Sequence, residues 1–295
     1  MAYARFAPMI SAASERPAIW RLVAGGASAA LLLIAWLFAI ALVLSLTEDT
    51  TVSRALSAVT QGDPETPEGA LKYLLIVGGL GFSTLLAARL WHGRGALSLT
   101  GPAARTLRHF VIAAALTLGV AAVLMVIPGP QDVSIERNME LSVWLGWLPF
   151  ALFAIAAQTG AEEVFFRGYL QSQIAARFAR PLIWLTFPAF AFGLAHFSPA
   201  LPPETAWAYV GFASLFGLLA GDLTARTGSI GAGWGFHFAN NTIAVAIIAV
   251  DGTITGLGLF RSTVGIERLS ELSPWILADL GALVLVWLLL RRVLD

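Results

Sequence analysis

Polar and apolar positions along this chain alternate on a long period. Stretches of roughly 16 to 25 residues with almost no charge are separated by short polar connectors. The apolar runs lie at about 22–46, 71–91, 110–127, 141–160, 182–197, 206–225, 229–250 and 274–290. About 20 helical residues cross the ~30 Å hydrocarbon layer of a bilayer. Backbone N–H and C=O groups in lipid must also find partners within the spanning structure, which favours helices. The pattern predicts an all-α, polytopic membrane protein of about eight transmembrane helices. The connectors QGDPETPEG at 61–69, PGPQD at 128–132 and SPALPPE at 198–204 carry the proline and glycine that stop helices.

Arginines orient the pattern. With the N-terminus on the cytoplasmic side, that side collects Arg5, Arg16, Arg21, Arg89, Arg94, Arg105, Arg108, Arg167, Arg177, Arg180, Arg226, Arg291 and Arg292. The other side receives Arg54, Lys72, Arg137, Arg261 and Arg268. Positive residues are retained on the cytoplasmic side, so both termini are expected there, and MAYARFAPMISAASERPAIWR reads as a cytoplasmic tail in place of a signal peptide.

Composition agrees, at 58% hydrophobic and 12% charged residues where soluble domains carry about a quarter charged. The formal net charge is zero and cysteine is absent, so no overall field draws the chain to nucleic acid, and disulfide or thiolate chemistry is excluded. The expected setting is the lipid bilayer of a bacterial inner (plasma) membrane.

Four polar clusters interrupt the apolar runs: Glu162, Glu163 and Arg167 in AEEVFFRGYL; His196 in FGLAH; His237, Asn240 and Asn241 in HFANN; and Asp279. Ionised carboxylates are costly in lipid unless paired, hydrated or protonated. Glu163 and Arg167 are four residues apart and share a helix face, while Glu162 points about 100° away from that pair. His237 and Asn241 share a face by the same spacing. If ARFARP at 176–181 is the turn of a helical hairpin, Glu162 and His196 lie about 25 Å along its two arms and come level. His237 enters from the same side and reaches a similar depth. Each cluster alone has a structural explanation: a snorkelling ion pair, an interhelical hydrogen bond at His196, helix bridging by His237 and Asn241. Their agreement in depth favours one shared site. Asp279 stands apart, with a structural role or a polar contact to another span.

A carboxylate beside an imidazole can take a proton from water, and a second imidazole with a nearby amide can donate to the oxyanion of a tetrahedral intermediate. These are parts of a water-activating amide hydrolase. The chain contains neither GxSxG nor HExxH, which removes the serine-elbow and zincin readings. Glu162, His196 and His237 could instead hold a divalent metal such as zinc, with Glu163 as general base. The metal-free version is slightly favoured, because those residues arrive on three separate helices with no local two-ligand chelate.

The three motifs, EExxxR at Glu162, Glu163 and Arg167, FxxxH at Phe192 and His196, and HxxxN at His237 and Asn241, together resemble the CAAX protease and bacteriocin-processing (CPBP) family. That family includes the type II CAAX prenyl endopeptidases and bacterial Abi proteins. The resemblance implies an intramembrane endopeptidase in which Glu162 and His196 activate water, His237 and Asn241 form the oxyanion site, and Glu163 and Arg167 brace it. The family was long described as metalloproteases, and a glutamate mechanism is also proposed for it. The implied division is an N-terminal tail with three spans at 1–139, a catalytic core at 140–250, and a loop with the last span at 251–295. The expected partner is a peptide or protein substrate at the membrane, lipidated or not. Two other classes use the same residues: a proton-coupled transporter, and a catalytically silent immunity or partner-binding membrane protein.

Overall fold

The structure is a computed structural model describing residues 3–60, 62–126 and 134–294, with the backbone alone described at 269–275. The connector expected at 128–132 lies outside the described residues. Each apolar run contains a helix: α2 (Ile19–Thr47), α4 (Pro67–His92), α6 (Ala103–Leu124), α7 (Leu141–Glu163), α9 (Pro181–Leu194), α10 (Pro203–Thr227), α11 (Gly231–Asn241) and α12 (Leu269–Leu294). Shorter helices are α1 (Ala7–Ser14), α3 (Val52–Thr60), α5 (Ala96–Thr100) and α8 (Ser172–Arg177). Among the described residues, five helical segments are long and apolar enough to cross a membrane, which makes this an all-α integral membrane protein. The run at 182–197 yields only the 14-residue α9, which is shorter than that criterion.

Two π-helical segments, Val164–Gln171 and Thr242–Ile247, directly follow α7 and α11. The first is continuous with α8, so one helical rod runs from Leu141 to Arg177 before the chain turns at 178–180 into α9. After the second, the run at 229–250 stops being helical. Ile248–Asp251 becomes a strand (β2), parallel to β3 (Phe260–Gly265), and β3 pairs antiparallel with β1 (Ile135–Arg137). This three-stranded sheet is absent from the sequence pattern because its strands are too short for a period of two to register. It gathers Arg137 and Arg261 at one end of the bundle, with Arg261 Nε 2.8 Å from Glu136 Oε1.

At the opposite end Asp222 of α10 joins the N-terminal segment to α12. The Tyr3 hydroxyl donates to Asp222 Oδ1 at 2.9 Å, Trp287 Nε1 donates to Asp222 Oδ2 at 2.9 Å, and Arg226 lies 3.3 Å from the same carboxylate. Arg94 fastens the turn after α4 to α8, donating to Ser172 Oγ at 2.8 Å and to Ser98 O at 2.6 Å. Burial pulls its guanidinium down to about 10.

Close backbone packing sets the helix positions. In lipid, where association gains little from hydrophobicity, small residues let helices approach. Gly78 and Gly81 of α4 lie against Ala157 and Ala161 of α7, where an added Cβ would be 3.5 and 3.2 Å from their atoms. On α11, Gly231 and Gly235 meet the carbonyl oxygens of Thr106 and Phe110 on α6. His237 is two residues beyond Gly235, roughly 200° around the helix, so seating the glycine face on α6 turns His237 towards α7. Trp234 ties the second contact, donating from Nε1 to Ala156 O at 3.1 Å. An aromatic core of Phe166, Phe192, Phe216 and Phe236 fills the space between the first π segment, α9, α10 and α11.

Gly235→Val is expected to force α11 from α6. Overpacking of this kind costs about 3 kcal/mol, read as a lowered unfolding midpoint in detergent; an unchanged midpoint would show that the seam does not position α11.

Candidate active site

The two adjacent glutamates end α7 just where the α-helical ladder widens into the π segment, a distortion common at functional positions. Glu163 has no exposed surface and Arg167 is 1% exposed. Their i,i+4 spacing places Arg167 Nη1 3.0 Å from Glu163 Oε1, the pair expected from the motif. The same carboxylate oxygen also accepts from His237 Nδ1 at 3.0 Å. On the other edge of that imidazole, Nε2 is 3.6 Å from Glu162 Oε2. One ring thus stands between two neighbouring carboxylates. The spacing of the motifs gave no hint of this link, because it joins residues 74 apart in the chain.

Arg167 is held by more than a charge. Its guanidinium carbon is 4.3 Å from the Phe192 ring centroid, 5.8 Å from Phe166 and 5.9 Å from Phe216. Phenyl faces attract cations, the more so when water is excluded. The box offers the buried charge a partial substitute for hydration, and it explains how Arg167 persists although Nη1 and Nη2 have no well-oriented hydrogen-bond acceptor.

Phe192 also reaches both imidazoles. Its ring centroid is 4.6 Å from that of His196 and 5.6 Å from that of His237. His196, half-buried just past the end of α9, uses Nδ1 to bond the Phe192 carbonyl at 2.8 Å. Since a carbonyl only accepts, Nδ1 carries the proton and Nε2 is left for other chemistry. Glu162, 8% exposed, has its Oε2 buried without a hydrogen-bond partner.

Gln158 lies outside all three sequence motifs. It is buried in α7, and its Oε1 accepts from Asn241 Nδ2 at 3.0 Å. Gln158 and Glu162 are four apart on α7, as His237 and Asn241 are on α11. The contacts form two rungs between these helices, Glu162 with His237 and Gln158 with Asn241, about 6 Å apart along the helices. The signal that could have found Gln158 is its i−4 relation to Glu162 in an otherwise uncharged run. Gly233 completes the packing: a Cβ there would lie 2.9 Å from Glu163 Oε2. Asn240 is half-buried beside this cluster, and Asp279 is exposed on α12.

The tautomers are compatible with metal binding, since a ligating histidine usually donates its other N–H to a carboxylate or carbonyl. Among the described residues, however, no group of three or more His, Asp or Glu side chains is disposed to hold a metal ion.

Residues 142–243, which contain all three motifs, match the family described as type II CAAX prenyl endopeptidase Rce1-like, the family the motifs resemble. A protein of Bacillus subtilis (strain 168), uncharacterized protein YyaK, is 32% identical over 129 residues, 43% of this chain and 42% of that protein. The chain thus spans less than half the length of this relative. No solved structure matches.

Glu163→Gln leaves the Arg167 charge without its carboxylate. Breaking a buried pair on one side costs about 3–5 kcal/mol, so the variant should unfold well below the parent in detergent. The double variant E163Q/R167M, which buries no lone charge, should recover part of the loss. Equal melting of E163Q and parent would contradict the bracing role.

Proposed function

We propose that this protein is an intramembrane endopeptidase that cleaves a peptide bond near the cytoplasmic face of a bacterial plasma membrane. The observation that carries the reading is the buried, hydrogen-bond-free Oε2 of Glu162 facing His237 Nε2 at 3.6 Å, in a region similar to a protease family.

In this reading Glu162 and the free Nε2 of His196 hold a water molecule, and Glu162 takes its proton as the oxygen attacks the scissile carbonyl carbon. The C=O electron pair moves to oxygen, and the oxyanion accepts hydrogen bonds from His237 and Asn241. With Nδ1 donating to Glu163, Nε2 of His237 donates only when the ring is protonated on both nitrogens. Asn241 supplies a neutral donor beside it. Glu162 then returns the proton to the leaving nitrogen, the C–N bond breaks, and the products are an acid and an amine. Glu163 fixes the orientation of His237, and Arg167 balances the charge of Glu163. The substrate is a peptide or protein segment at the membrane, for which the prenylated peptides in the family's name are one candidate.

Peptide libraries with and without a prenyl group, incubated with the purified protein in detergent, test the reading. Glu162→Ala should lower turnover about a thousandfold while the protein stays folded and membrane-inserted; unchanged turnover would refute the mechanism. Elemental analysis of active protein should find no stoichiometric metal, and chelators should leave cleavage intact. Loss on chelation with recovery on adding zinc would move water activation to a metal.

A further inference from the structure

Gln158 has no role in the chemistry above, yet a primary amide is expensive to bury in the interior of an apolar helix unless its polar atoms are matched. It is 6% exposed, and the partner given to its Oε1 is Asn241 Nδ2 at 3.0 Å. We propose that Gln158 is a positioning residue of the hydrolytic site, which selects the face of the Asn241 amide that meets the oxyanion. The inference rests on the endopeptidase reading.

An asparagine side chain has a broad, nearly two-fold terminal torsion, so its NH2 and C=O groups exchange places at little torsional cost. Only one arrangement helps. A carbonyl oxygen turned towards a developing oxyanion would repel it, whereas an N–H would stabilise it. The amide nitrogen carries two N–H groups. When Gln158 Oε1 accepts one, the nitrogen is fixed on the α7 side and its second N–H remains available. His237, one turn earlier on α11, is fixed in the same way by Glu163 Oε1. The proposed oxyanion donors would then each be oriented by an oxygen acceptor on α7, neutral for Asn241 and charged for His237.

Gln158 is itself well placed to hold a direction. Two residues before it, Ala156 O accepts from Trp234 Nε1, and two residues after it Gly160 lies under the Trp234 ring, where an added Cβ would be 2.9 Å away. The α7 backbone around Gln158 is thus anchored to the helix that carries Asn241.

The test is a double-mutant cycle on the full-length protein in detergent, comparing parent, Gln158→Met, Asn241→Ala and the double variant. Methionine keeps the length of the side chain and removes the acceptor. Gln158→Met is expected to lower kcat about tenfold with KM unchanged, and to cause no further loss when Asn241 is already alanine. A similar loss in both backgrounds, a rise in KM at constant kcat, or parental kinetics would each overturn the proposal. Unfolding midpoints of the four proteins form a second cycle that needs no substrate, and coupling between the two positions is expected there as well. If the parent cleaves no peptide, or Glu162→Ala cleaves as the parent does, the endopeptidase reading falls and takes the catalytic role with it. Absence of coupling in the unfolding cycle, with Glu162-dependent cleavage intact, overturns the Gln158 contact alone.

Discussion

The carboxylate of Glu163 is the constraint around which the rest of this structure is arranged. It has no contact with solvent, so its charge persists only if other groups replace water. Arg167 Nη1 and His237 Nδ1 both meet Oε1 at 3.0 Å. Arg167 in turn lies among three phenylalanine rings supplied by the first π segment, α9 and α10. One buried group therefore links α7, the first π segment, α9, α10 and α11. Its neighbour Glu162 is spared that task, and this division of labour between adjacent glutamates answers why an apolar helix ends in two of them.

The geometry is transmitted by helix periodicity. Residues four apart occupy one face, and the antiparallel course of α7 and α11 matches Gln158 and Glu162 with Asn241 and His237 in reverse order. The glycine face of α11 against α6 fixes its rotation, and the Trp234 contact to Ala156 fixes its height. A displacement of either helix by one residue would break both rungs together. The site is thus as rigid as the packing that carries it, a condition for preorganised electrostatic catalysis.

Much of this was legible in the chain. The apolar runs named the helices because lipid leaves the backbone few other ways to satisfy its polar groups, and the Glu163–Arg167 pair followed from spacing on a single helix. Contacts between helices were harder. Depth reckoning brought Glu162, His196 and His237 towards one layer, but it could not say that His237 would bond Glu163, since rotation about α11 depends on glycines whose partners are backbone oxygens of α6. Gln158 escaped notice because it stands as a single amide in an uncharged run, outside the three motifs. The sheet of β1, β2 and β3 escaped because strands of three to six residues are too short for a period of two to show, and β2 reads as the tail of the apolar run at 229–250.

The central claim is that His237 is held through Nδ1 by a buried carboxylate, leaving Nε2 to face Glu162. It is tested most directly by nitrogen-15 NMR of histidine-labelled protein in a lipid environment. The chain has four histidines, and the His237 signal is assigned by its loss in His237→Asn. A protonated, strongly hydrogen-bonded Nδ1 that shifts in Glu163→Gln is the predicted result. An Nδ1 without a proton, or one insensitive to residue 163, would contradict it.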